Sequence, residues 1–148
     1  MQLERSLTWR LHRLHKLTDL ESQRAYLEQT GLSLGDGRCL AAIGAFAPLS
    51  VNDLADAAHL TKGQASRAAQ WLVEQGLVRK ASDASDARGV VLTLTAKGRR
   101  LWAQTMEVIA RRNEEIFGQL SEAEREQFGR TLDRLLEALT ASTGVADG

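Results

Sequence analysis

One stretch, Leu49 to Gly98, constrains this chain more than any other: it reads as a capped helix, a turn, a second helix and a two-stranded ribbon with a charged tip. Ser50 can take an orphan backbone N–H at a helix start, with Asp53 at the third helical position approximating a capping box ahead of Leu54, Ala55, Ala57 and Ala58. That helix is expected to end near His59. Thr61, another good N-cap, starts a second helix that runs to Gly76, a residue suited to the left-handed conformation at a helix end. Ala65, Ala68, Ala69 and Leu72 make its inward stripe, small enough for two helices to approach closely, and Lys62, Gln64, Ser66 and Arg67 face outward.

These outward residues match what duplex DNA presents. Arg and Lys reach guanine O6/N7 or phosphate, Gln can bridge adenine, and Ser can serve either. In a helix-turn-helix the N-terminal half of the second helix enters the major groove, so Thr61, Lys62, Gln64, Ser66 and Arg67 are candidate DNA contacts. The alternative for this helix alone is an ordinary amphipathic helix with a solvated face. The next segment speaks against it: Leu77 to Lys80 reads as a strand, Ser82 to Gly89 as a polar loop and Val90 to Leu94 as the returning strand, a β-hairpin wing. Arg88 at its tip is a candidate for phosphate or a narrow minor groove. Asp86 either orients a nearby Arg or is a simple turn residue.

The run from Leu60 to Arg67, then Leu72 to Arg79, Asp86-Ala87-Arg88 and Leu94 to Gly98 closely resembles the MarR family of bacterial winged helix-turn-helix repressors. The resemblance extends upstream to Gly31-Leu32-Ser33, which opens a helix, and downstream to two long terminal helices. It implies a mainly α fold with a small β-hairpin wing, in one domain over residues 1–148. Residues 31–100 would form the winged helix-turn-helix lobe, 1–30 and 101–140 the dimerisation helices, and 141–148 a flexible tail.

Composition agrees with a single domain, since 148 residues with 43% hydrophobic content can supply a core. No signal peptide and no apolar run near the ~20 residues that span a bilayer is evident, so a cytoplasmic protein without membrane contact is expected. The formal net charge is zero, but its distribution is uneven. Residues 61–100 carry eight Lys or Arg against three acids, a basic lobe on an acidic body. Enzyme chemistry has no support: there is no Gly-rich phosphate loop, no G-x-S-x-G, and no carboxylate pair beside a plausible cleft. A winged-helix module used only for protein contacts would share the fold, and the basic lobe argues against it.

Residues Leu3 to Leu27 carry Leu7, Leu11, Leu14 and Thr18 at helical spacing, broadened by Leu17 and Leu20. Thr95 can cap a helix to about Phe117, and Ser121-Glu122-Ala123-Glu124 is a capping box opening a last helix with Phe128, Leu132, Leu135, Leu136 and Leu139 on one face. One small lobe cannot bury all these stripes, so a homodimer of intertwined terminal helices is expected. Two recognition helices related by a twofold axis would then meet successive major grooves of a pseudo-palindromic operator.

Three features compete for the signal such a repressor senses. Cys39 in Gly37-Arg38-Cys39-Leu40 is a lone thiol that reads more readily as buried and structural than as redox-active. His12 and His15 could share a metal, but no third or fourth ligand is evident, and no metal or other cofactor is expected. Trp9, Arg10 and His15 on the first helix, with Trp102 and Met106 on the fifth, can supply a cation and aromatic faces for a small aromatic or heteroaromatic carboxylate or phenol, the effector class the resemblance implies. The alternative puts both Trp residues in a core or dimer interface and Arg10 at the surface.

Overall fold

The computed structural model describes residues 1–83 and 89–143 and divides the chain into two compact units, residues 1–110 and 111–148. The elements are α1 (Leu7–Thr30), α2 (Leu34–Phe46), α3 (Val51–Ala58), α4 (Lys62–Glu74), β1 (Val78–Ser82), β2 (Val90–Leu94), α5 (Ala96–Phe117) and α6 (Glu122–Thr143). This is the mainly helical fold with a two-stranded wing that the sequence implies.

Capping residues set most helix starts. Ser33 Oγ accepts from the Asp36 N–H at 3.2 Å and Ser50 Oγ from the Asp53 N–H at 3.1 Å, opening α2 and α3. The first helix begins later than the leucine spacing suggests. Ser6 Oγ accepts from the Trp9 N–H and donates to the Leu3 carbonyl at 2.7 Å, so Leu3–Arg5 closes as a separate 3-10 turn. α1 stops at Gly31, whose φ of 73° is the left-handed conformation expected of a glycine there. His59 adopts the same conformation without being glycine, φ 58°, and this reverses the chain between α3 and α4.

The core of the first unit joins Leu40 and Ile43 of α2, Leu54 of α3, Leu72 of α4 and Leu92 of β2, all fully buried. Burying each such side chain contributes about 1.5–3 kcal/mol. β1 and β2 pair antiparallel, with Val78 opposite Leu94 and Lys80 opposite Leu92, and a further pair of hydrogen bonds between Leu49 and Leu92 ties the ribbon to the chain ahead of α3. The first strand is displaced from its expected span, Leu77 to Lys80. Leu77 instead gives its N–H to the Leu72 carbonyl as part of the closure of α4, and the ladder extends to Ser82.

In the second unit, Ser121 and Glu124 form a reciprocal capping box at the start of α6, and the hydrogen bonds that the Glu124 carboxyl accepts from Ser121, its backbone N–H first, hold that carboxyl below its ordinary range. The Phe117 and Phe128 rings lie 5.9 Å apart, and Arg125 reaches Glu114 at 3.1 Å. α6 continues through Thr143, into the segment read as a tail; residues 144–148 lie outside the described residues. No helix of the described chain is long and apolar enough to cross a membrane.

The start of α5 meets the end of α4 at Gly98. Thr95 gives its N–H to the Leu77 carbonyl and its hydroxyl to the Gly76 carbonyl, and its oxygen caps the Gly98 N–H. A Cβ on Gly98 would strike the Leu77 carbonyl oxygen, a backbone atom that cannot rotate away, whereas one on Gly35 would meet nothing. Gly98→Ala is therefore expected to destabilise the protein by about 1–3 kcal/mol, lowering Tm by roughly 3–10 °C. Gly35→Ala, measured in the same thermal melts, is expected to be neutral or slightly stabilising, since alanine favours helix.

Candidate nucleic-acid interface

α4 presents one buried and one open face. Ala65, Ala69 and Leu72 are at most 1% exposed, which fixes the rotation of the helix and leaves Lys62, Gln64, Ser66 and Arg67 outward as expected. Lys62, Ser66 and Arg67 have no side-chain partner among the described residues. Gly63 leaves room beside the Arg67 guanidinium, which a Cβ there would touch at 3.4 Å.

Thr61 and Gln64 stand differently. The Thr61 hydroxyl oxygen accepts from the Gln64 N–H at 3.1 Å, and Gln64 Oε1 accepts from the Thr61 N–H at 3.0 Å, a complete capping box. A bidentate bridge to adenine needs both the oxygen and the amide nitrogen of Gln. The box already occupies one lone pair of Oε1, so a bidentate bridge would have to share that oxygen with the Thr61 N–H. The sequence signal was present, Thr followed three residues later by Gln, but outward position alone did not reveal it.

Several cations of the basic lobe hold the scaffold. Lys97 Nζ reaches the Gln75 carbonyl at 3.0 Å, where a cation complements the C-terminal end of α4, and Arg99 reaches the Leu94 carbonyl at 3.3 Å. Lys80 on β1 donates to Gln70 Oε1 at 3.0 Å, and Gln70 Nε2 donates to Glu74 at 3.2 Å, bracing the ribbon against α4. Arg79 is exposed beside it. Asp86 and Arg88 lie outside the described residues.

The five residues grouped as an effector site do not come together within the chain. Arg10 folds back onto the carbonyls of Arg5 and Ser6, and Arg13 lies over the Trp9 ring at 5.6 Å. His15 pairs with Asp19 at 3.1 Å on the exposed side of α1. Trp102 joins the core, with its ring against Gly44 and its indole N–H donated to the Ala41 carbonyl at 3.2 Å. The reason is geometric: short hydrogen bonds and a glycine gap are available to each side chain nearer than a shared cleft. Of the five, only Met106 lines a cleft of about 290 Å³ formed with Arg38, Phe46, Ala57, His59 and Ile109. Arg38 is held there from α1 by Asp19, Nη2 to Oδ1 at 2.9 Å.

Cys39 is fully buried, and burial, with the Asp36 carboxylate adding to it, pushes its thiol up to about 11. A thiolate is the reactive species, so this environment opposes redox sensing. Among the described residues no three His, Cys, Asp or Glu side chains converge as metal ligands.

A capped helix on a turn, with a polar open face and a flanking ribbon, defines a winged helix-turn-helix DNA-binding module. The family model described as "MarR family" matches residues 30–89. The chain is 29% identical over 136 residues to the uncharacterized HTH-type transcriptional regulator YxaD of Bacillus subtilis, covering 92% of each chain. It is 28% identical to the HTH-type transcriptional repressor Rv2887 of Mycobacterium tuberculosis, over 75% of this chain and 80% of that one. The structure of Rv2887 in complex with salicylic acid superposes with a TM-score of 0.70 at 27% identity, covering 88% of this chain and 96% of that one. A MarR/EmrR family regulator from Acinetobacter sp. ADP1 gives 0.85 at 22% identity, covering 95% and 99%. The chain is thus similar to the MarR family of DNA-binding transcriptional regulators across its helix-turn-helix segment, and to HTH-type transcriptional regulators over most of its length.

The state of Cys39 has a direct consequence for labelling. In the native protein at pH 8 the thiol is expected to resist an aromatic disulfide reagent, and in denaturant to react stoichiometrically; rapid native labelling would contradict the buried, protonated thiol.

Proposed function

We propose that the chain acts in the cytoplasm as a homodimeric repressor that holds a pseudo-palindromic operator and releases it when a small aromatic or heteroaromatic carboxylate or phenol binds. The observation that carries this reading is the pair of apolar stripes left open on one chain. Leu7, Leu11, Leu14 and Leu17 on α1 and Leu132, Leu135, Leu136 and Leu139 on α6 are all exposed, Leu136 by 62%. Leucines at helical spacing on both termini call for a second copy, and a twofold pair of α4 helices suits a palindrome.

Lys62, Ser66 and Arg67 are the side chains of α4 free to meet base edges or phosphates, Thr61 and Gln64 set the pitch of the helix at the groove, and Arg88 serves the wing. The effector reading rests on the cleft around Met106. Arg38 and His59 offer donors to a carboxylate or phenolate, while Phe46, Met106 and Ile109 offer an apolar wall to a ring. The salicylic acid complex of Rv2887 supports this ligand class. A ligand seated between α2, α3 and α5 would bias the lobe that carries α4, and coupling of about 1–3 kcal/mol would lower DNA affinity by roughly 5- to 150-fold.

The test is a fluorescence-polarisation titration of the protein on duplexes tiling its own upstream region, at two salt concentrations, with and without salicylate and related acids. Tight binding to one palindromic tile, reversed by an acid, is expected. Arg38→Ala should leave affinity without ligand within about two-fold and abolish the response to the acid. Weak binding that ignores sequence and every acid would move the function to protein contacts. In sedimentation, Leu132→Asp with Leu136→Asp is expected to give monomers, and a surviving dimer would mean that the interface lies elsewhere.

A further inference from the structure

Trp71 is a large apolar side chain on the open face of α4, 36% exposed, one and two turns beyond Arg67 and Gln64. With them it lines a groove of about 320 Å³ whose far side is Gly35 and Asp36 of α2. The exposed leucine stripes belong to other helices, α1 and α6. The indole N–H of Trp102 is donated to the Ala41 carbonyl, whereas that of Trp71 has no partner among the described residues. An indole nitrogen only donates, so what completes Trp71 is an acceptor.

The neighbouring amides are already engaged. Gln64 closes the capping box, and Gln70 is held by Lys80 and Glu74. Trp71 is the tenth residue of α4, about 13 Å along the helix from Lys62. The major groove is about 12 Å wide, so a helix entering by its first turns brings this position to the groove edge, where the backbone runs. Asp36, its carboxylate hydrogen-bonded to the Ser33 hydroxyl at 2.9 Å, repels a phosphate from the floor of the small groove and leaves the rim formed by Arg67 and Trp71.

We propose that Trp71 is a backbone contact of the DNA complex, its indole N–H donating to a phosphate oxygen and its ring lying on the adjoining deoxyribose. This rests on the DNA-binding reading of α4 and adds to it a contact that carries no charge. Neutral contacts have a distinct signature: they change affinity at every sequence without changing the number of counterions released.

The experiment uses the full chain, two duplexes of unrelated sequence and a series of salt concentrations, with thermal melts of each variant. Trp71→Phe, which keeps a ring and removes the donor, is expected to bind both duplexes roughly ten-fold more weakly with an unchanged log–log salt slope, and Trp71→Ala more weakly still. Arg67→Ala should by contrast flatten the slope by about one unit if it meets a phosphate. In the unmodified protein, saturating DNA should shield the exposed indole from acrylamide quenching, and Trp71→Phe should remove that shielded component, a readout independent of variant stability. Unchanged affinity of Trp71→Phe, a loss confined to one duplex, or an indole equally open to acrylamide on DNA would each overturn the contact. An unmodified chain that binds neither duplex would overturn the DNA reading and this contact with it.

Discussion

Everything presented to DNA depends on α4 being unable to roll. Ala65, Ala69 and Leu72 bury one face against α2 and α3, and small side chains there bring the backbones close enough that a rotation of even part of a turn would force polar groups into the core. Both ends are closed as well. Thr61 and Gln64 satisfy the first turn, and Gly76, the Leu77 N–H and Lys97 satisfy the last. A helix pinned on its inner face and at both ends presents Lys62, Ser66, Arg67 and Trp71 as a fixed set.

The basic surplus of the lobe divides by role. Lys97 and Arg99 sit on backbone carbonyls at the junction of α4, β2 and α5, and Lys80 braces the ribbon through Gln70. Lys62 and Arg67 are left without partners among the described residues. Part of the charge asymmetry therefore serves helix ends and the seat of the wing, and the electrostatic attraction for DNA is concentrated on fewer side chains than the count suggests.

The α2–α3–α5 cleft belongs to the same lobe, with Arg38 tied to α1 through Asp19. That pair is partly exposed and contributes little stability. The residues of the cleft differ from those expected because the expected ones found local partners: Arg10 at the carbonyls of Arg5 and Ser6, His15 at Asp19, Trp102 in the gap above Gly44.

The helix order, the caps at Ser33, Ser50, Thr61 and Ser121, the hairpin and the open face of α4 were legible in the sequence, because each is set by neighbours within a few residues or by a regular helical period. The late start of α1 behind its Ser6 cap and the one-residue later start of β1 were not, since they turn on which of two adjacent residues takes a particular hydrogen bond. Helical spacing places Gln64 outward but says nothing of its engaged oxygen. The cleft was least legible of all. Arg38, Phe46, His59 and Met106 come from three helices separated by long stretches of chain, and only the packing of those helices decides which side chains share a space and which have already found a partner.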